Sequence, residues 1–250
     1  MPRKSNKQFN DQEELVKQPT RKTAGKRNKY PVENNENSLF LKHKIVPRTY
    51  GQTFYLDMLR ESTITICSGP AGCGKTWIVA GVALQKLFNH EIDKIIITKP
   101  IVEAGGERLG FLPGLAEEKI LPHFQSVLDC FEDHIGPSAL KKLQEEHKLI
   151  FLPTAFCRGR DIKNAFILID EAQNLTKKGI KLLMTRISEG STMAINGDTD
   201  QIDLPNTNDS GLQWAIDALT GKSGDIGVVK LTDTDIQRHP IISVILKHLK

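Results

Sequence analysis

The sequence predicts an α/β fold, a single domain with a mainly parallel sheet flanked by helices, and three observations carry that reading. Short β-branched runs alternate with longer segments of helical periodicity from about Leu39 onward, the pattern of parallel strands joined by helical crossovers. The junction after the first of these strands, Gly69 to Thr76, is rich in glycine. Two later strands end in acidic and amide residues, as expected where the carboxyl edge of such a sheet gathers ligand-binding groups.

Residues 1–37 are rich in Lys, Asn, Gln and Glu and poor in large apolar groups. Such a segment buries too little surface to offset its ordering entropy, so it is expected to be a disordered basic tail ahead of a folded domain at 38–250. Ile64-Thr65-Ile66-Cys67 then reads as a buried strand, and Lys75 to Phe88 has the apolar spacing of a helix. Lys94 to Thr98 is a second strand; Leu115 to Phe131 and Ser138 to His147 read as helices. Leu149 to Leu152 and Phe166 to Asp170 follow as strands, with a helix from Thr176 to Arg186. Strands at Ser191 to Asn196 and Ile226 to Leu231 complete the sheet, with helices from Ser210 to Leu219 and from Pro240.

Composition narrows the function classes. No run approaches the roughly 18 consecutive apolar residues of a membrane span, and the basic start, Met1 to Lys7, is not followed by an apolar run and cleavage site. The four cysteines, Cys67, Cys73, Cys130 and Cys157, form no C-x-x-C pair, so neither a zinc ribbon nor a disulfide framework is suggested. Free thiols in a reducing cytoplasm are the expectation. Of the net charge of +4, residues 1–30 carry +6, from nine Lys/Arg and three acids, which leaves −2 for the body. The tail reads equally as a non-specific contact for nucleic acid phosphates or as a solvated arm.

Three motifs carry chemistry. In Gly69-Pro70-Ala71-Gly72-Cys73-Gly74-Lys75-Thr76, followed by Trp77, the glycines let backbone N–H groups converge at a helix N-terminus, which suits phosphate. Lys75 can reach the β- and γ-phosphates of a nucleotide, and the Thr76 hydroxyl can ligate Mg²⁺. In Phe166-Ile167-Leu168-Ile169-Asp170-Glu171-Ala172-Gln173 a buried strand delivers two carboxylates. Asp170 is placed to hold Mg²⁺ and Glu171 to deprotonate an attacking water; capping of the next helix is the bland alternative. In Asn196-Gly197-Asp198-Thr199-Asp200-Gln201 the neutral amide of Gln201 can hydrogen-bond the γ-phosphate and the water, while turn chemistry alone accounts for Asn-Gly-Asp.

In this order the motifs resemble the core of superfamily-one helicases, and further runs narrow the resemblance to the PhoH-like ATPases, RecA-like P-loop NTPases. These runs are Lys99 to Gly114 (KPIVEAGGERLGFLPG), Arg158-Gly159-Arg160, Gly197 to Pro205, Ser210-Gly211-Leu212 and Asp235-Ile236-Gln237-Arg238-His239-Pro240. The resemblance covers Val46 to the C-terminus. It implies hydrolysis of Mg·ATP, coupled to single-stranded RNA or DNA, by a homo-oligomeric ring, a hexamer as in relatives. It also implies that Gln52, twelve residues ahead of Ile64, reads the adenine edge, and that Arg238 stabilises charge on the transferred phosphoryl group, with Arg238 or Arg186 completing the adjoining subunit's site in such a ring. Lys99, Arg108, Phe111 and Leu112, with Arg158 and Arg160, are candidates for strand contact, although Phe111 and Leu112 read equally as internal packing. Cys73 stands where the family usually has Thr. Lys75 and the helix terminus could lower its thiol pKa and open it to oxidation, but a tolerated small residue is the preferred reading.

A small-molecule kinase shares the phosphate loop but does not need Asp170-Glu171 followed by Gln201. A nucleotide-gated interaction module would bind ATP without turnover. The small body would suit a compact genome such as a phage's, which would place the protein in host cytoplasm.

Overall fold

The computed structural model describes residues 39–100, 121–157, 159 and 161–237. The basic tail, residues 101–120 with Arg108, Phe111 and Leu112, the arginines at 158, 160 and 238, and the helix expected from Pro240 lie outside the described residues.

The first element is one that the strand-and-helix pattern did not reveal. Helix α1, Tyr50–Glu61, starts at Thr49, whose hydroxyl accepts the Gln52 N–H as an N-cap. Its buried stripe is Gln52, Tyr55, Leu56 and Leu59, a helical spacing of which two members are polar, so hydropathy alone does not show it. Strand β1, Ile64–Ser68, leads through the glycine-rich turn into α2, Lys75–Phe88, and then β2, Lys94–Thr98. Most of α2 is buried, which makes it the central helix of its layer.

The predicted helix at Leu115 to Phe131 is corrected over its described part. A 3₁₀ turn at Leu121–Phe124 contains Pro122, and α3, Gln125–Ile135, runs four residues further than expected before Gly136 (φ 83°) stops it. Pro137 then occupies the first turn of α4, Pro137–Glu145, where its missing N–H costs nothing. Strands β3 (Leu149–Phe151) and β4 (Ala165–Ile169), helix α5 (Lys177–Met184), β5 (Thr192–Gly197), α6 (Leu212–Leu219) and β6 (Ile226–Lys230) follow within a few residues of expectation.

The six strands are all parallel, in the order β3-β2-β4-β5-β1-β6. Alternation along the strands divides the core in two. Cys67, Ile95, Ile97, Phe166, Leu168 and Ala194 pack under α1 to α4, while Ile66, Ile96, Ile167, Ile169, Met193 and Ile195 pack against α5 and α6. Because β5 lies between β1 and β4, the turns that follow these three strands stand side by side on the carboxyl edge. Among the described residues no helix is long and apolar enough to cross a membrane.

One polar group in the upper layer is under constraint. His134 is fully buried at the end of α3, its Nε2 donating to the Trp77 carbonyl at 2.9 Å and its ring 4.3 Å from the Trp77 ring, while Nδ1 has no partner among the described residues. Burial holds its pKa below the ordinary 6.5, against an opposing pull from the Trp77 carbonyl and Asp133; His43 adds to the lowering. The unfolded chain therefore takes up this proton first, and stability is lost as pH falls below about 6.5. Relative to His134→Gln, whose amide can keep the Trp77 contact without titrating, the metal-free wild-type protein should lose urea midpoint between pH 7.5 and 5.5.

Candidate active site

The phosphate loop bridges β1 and α2. At its end Gly74 takes φ 75° as the N-cap of α2, a left-handed conformation that disfavours a side chain, and a Cβ there would stand 3.3 Å from the Gln52 amide nitrogen. Two loop carbonyls are tied outward: the Gln237 N–H donates to Gly72 O at 2.9 Å, and Gln52 Nε2 donates to Cys73 O at 3.0 Å. A trans peptide is rigid and sets its N–H opposite its C=O. Anchoring these carbonyls therefore aims the N–H groups of Cys73 and Gly74 the other way, as an anion-binding nest requires. Lys75 Nζ donates to Gly69 O and to Pro70 O, the latter at 3.0 Å. A phosphate would take over those bonds.

Side chains from all three adjacent turns line one pocket of about 340 Å³ together with the loop. Among them are Lys75, Thr76, Asp170, Glu171, Asp198 and Gln201. The Thr76 hydroxyl lies 3.5 Å from Asp170 Oδ1. Asp170 is 6% exposed, and its carboxyl is pushed up from 3.8 to about 6, first by burial and next by the charge of Glu171, against the pull of Lys99 and Lys75. A buried carboxylate facing a hydroxyl, with no full counter-charge, suits a hard divalent cation such as Mg²⁺. Among the described residues no cluster of three or more His, Cys, Asp or Glu could hold a metal, so most ligands would come from nucleotide and water.

Glu171 sits at φ 52°, ψ 39° and makes no side-chain cap bond to the turn it precedes, unlike the capping alternative. A residue with a Cβ adopts that conformation at a cost of about 1–2 kcal/mol. Its side chain is 42% exposed, with Oε1 3.8 Å from Lys99 Nζ and Oε2 accepting from Gln173 Nε2 at 2.7 Å. Beside it, Asp198 accepts from Gln201 Nε2 at 2.7 Å and from the Asp200 N–H at 3.0 Å.

Gln52 faces a second pocket of about 560 Å³, which shares Gly74 and Trp77 with the first. Its Oε1 accepts the Arg48 N–H at 2.7 Å, so each end of the amide keeps one hydrogen-bonding position in reserve. Behind it the buried Asp235 carboxylate accepts from the Thr49 hydroxyl and the Thr232 N–H, joining the start of α1 to the segment after β6. Gly51 makes room for this carboxylate, which a Cβ would approach to 2.6 Å.

Several expectations change. Cys73 is buried, and burial raises its thiol pKa in spite of Lys75, so the activated-thiol reading fails and the small-residue reading stands. Arg186 lies at the other edge of the sheet, since its carbonyl accepts the N–H of Ile162, ahead of β4, and its guanidinium folds onto Leu182 O and the Thr185 hydroxyl. It is not brought to the pocket of its own chain. Arg238 lies outside the described residues, immediately after Gln237. Gln173 and Asp235 were quoted in motifs without a site role, and Lys99 only as a candidate for strand contact; the partners that give them meaning here, Asp198, Thr49 and Glu171, lie far away in sequence.

A family model described as "PhoH-like protein" matches residues 44–250. The "PhoH-like protein" of Synechocystis sp. is 40% identical over 200 residues, 80% of this chain and 60% of that protein. "Protein PhoH" of Escherichia coli is 37% identical over 196 residues, 78% of this chain and 55% of that protein. The chain thus spans a little over half the length of these curated relatives. In shape it is similar to the large terminase of a thermophilic bacteriophage, with a TM-score of 0.51, 11% identity, and coverage of 82% of this chain and 51% of that one. At that identity the likeness shows the α/β fold alone.

The raised Asp170 pKa has a measurable sign. In the folded state the carboxyl keeps its proton to about 6, against 3.8 unfolded, so metal-free stability declines as pH rises through that window, by up to about 3 kcal/mol for two units. Asp170→Asn should therefore raise the melting temperature of the metal- and nucleotide-free protein at pH 8 and do so much less at pH 4.

Proposed function

The chain belongs to the PhoH-like family, and on that footing we propose that it binds Mg·ATP and hydrolyses it by attack of water on the γ-phosphate. The observation that carries the proposal is the meeting of Lys75, Thr76, Asp170, Glu171 and Gln201 in one pocket on the carboxyl edge of the sheet. Thr76 and Asp170 are the residues that would hold Mg²⁺, which when bound supplies positive charge to the phosphate oxygens. The loop N–H groups and Lys75 bind and orient the phosphates. Glu171, half-exposed at the pocket wall, accepts a proton from the water as its oxygen bonds to phosphorus and the bridging bond to ADP breaks. Gln201 holds that water or a γ-phosphate oxygen.

The pocket beside Gln52 takes the base. The amide's spare acceptor and donor suit N6 and N7 of adenine, which supports ATP over GTP. Assembly into a ring would let Arg238, or Arg186, whose guanidinium lies away from its own pocket, reach a neighbouring site. The basic tail and the run after Lys99 support coupling to single-stranded RNA or DNA.

Phosphate release from ATP tests the core of this reading. Glu171→Gln should lower turnover by about 10²- to 10⁴-fold while retaining ATP binding, and Lys75→Ala should reduce both binding and turnover to background. Gln52→Ala should narrow the preference for ATP over GTP. Addition of single-stranded RNA or DNA should raise turnover; an unchanged rate with both would remove the polymer from the proposal, and a fully active monomer in sedimentation would remove the ring.

A further inference from the structure

Five residues from three turns form one run of polar contacts beside the pocket, passing through the backbone N–H of Asp198. Gln201 donates to Asp198 at 2.7 Å, the Asp198 N–H donates to Gln173 Oε1 at 3.0 Å, Gln173 Nε2 donates to Glu171 at 2.7 Å, and Glu171 pairs with Lys99 at 3.8 Å. At its centre Gln173 is 1% exposed. Its orientation is forced, because a reversed amide would set N–H against N–H at Asp198 and oxygen against oxygen at Glu171. The neighbouring chain is cut to admit it: a Cβ at Gly197 would stand 2.7 Å from Gln173 Oε1. The Gln173 carbonyl is fixed as well, by the Ser210 hydroxyl at 2.7 Å.

We propose that Gln173 is a positioning residue for hydrolysis, holding the Glu171 carboxylate in register with the Asp198–Gln201 turn so that base and γ-phosphate contact act on the same water. The inference rests on the reading of Glu171 as general base. Glu171 has two anchors of different kinds. Lys99 offers a full charge at the end of β2, and Gln173 offers a short neutral hydrogen bond from the other side. With Gln173 removed, only Lys99 holds the carboxylate, drawing it toward the ammonium and away from the Asp198 turn. ATP binding, which depends on the loop and the base pocket, is untouched. Displacement of a catalytic group by about 1 Å is enough to lower a rate by about 10²-fold.

The test uses Gln173→Met, similar in length and without the amide, and Gln173→Glu, which still offers the Asp198 N–H an oxygen but turns an anion toward Glu171. Steady-state phosphate release and binding of a fluorescent ATP analogue are measured for each, alone and in a Glu171→Gln background, with single-turnover rates where turnover is slow. The expected result is a fall in kcat of about 10- to 100-fold in both variants, analogue affinity within about twofold of wild type, and little further loss in the Glu171→Gln background. An unchanged kcat, or an equal loss in both backgrounds, or a loss of nucleotide affinity matching the loss of rate, would overturn the proposal. Should Gln173→Met fail to fold, Gln173→Glu decides by the same criteria. Wild-type protein that releases no phosphate would instead sink the reading of the site as hydrolytic, separately from the role of Gln173.

Discussion

The position of β5 between β1 and β4 is the constraint on which the rest depends. Parallel pairing brings Ser68 level with Gly197 and Ile169 level with Ile195, so β1 and β5 end together and β4 ends two residues earlier. The Gly69 N–H closes on the Gly197 carbonyl at 3.1 Å, and the Asp170 N–H closes on Thr98 O at 2.9 Å. Each turn thus leaves the sheet from a fixed point. The phosphate loop, the carboxylate pair and the Asp198 turn then have no choice but to face one another, and a slip of one strand by one residue would reverse every side chain on it.

That convergence is electrostatically unfavourable without a ligand. Asp170, Glu171 and Asp198 line one pocket whose nearest cations are Lys75 and Lys99. Burial makes the conflict visible in the raised pKa of Asp170, and the left-handed backbone of Glu171 adds strain at the adjacent position. Both features cost the fold stability: the buried Asp170 carboxyl resists ionisation, and the adjacent Glu171 holds a backbone conformation that disfavours a side chain.

The strands were legible because both faces of the sheet are covered, which makes each strand a short apolar run bounded by turn residues. The phosphate loop and the acid pair were legible because each is a run of sequence neighbours at the end of a strand. Helix α1 was not, since Gln52 and Tyr55 occupy its buried face and break the apolar pattern. Gln173 and Asp235 were not, because their meaning lies in partners 25 and 186 residues away, Asp198 and Thr49. Cys73 was weighed by its charged neighbour, while burial, which no local pattern reports, sets the direction of its shift.

Helix α1 is more than an outer layer on the sheet. Three successive turns of contact tie it to separate parts of the site: Thr49 to Asp235, Gln52 to the Cys73 carbonyl, and Tyr55 to Asn196, whose side-chain oxygen accepts the phenol at 2.6 Å. Tyr55 is fully buried, and burial pushes its phenol well above its ordinary range, so it acts as a neutral donor. Asn196 is the residue before Gly197, and its side-chain nitrogen has no partner among the described residues. One helix thus holds both the phosphate loop and the end of β5. The same contacts run on from the strand end through the Asp198 N–H to Gln173 and from there to Glu171.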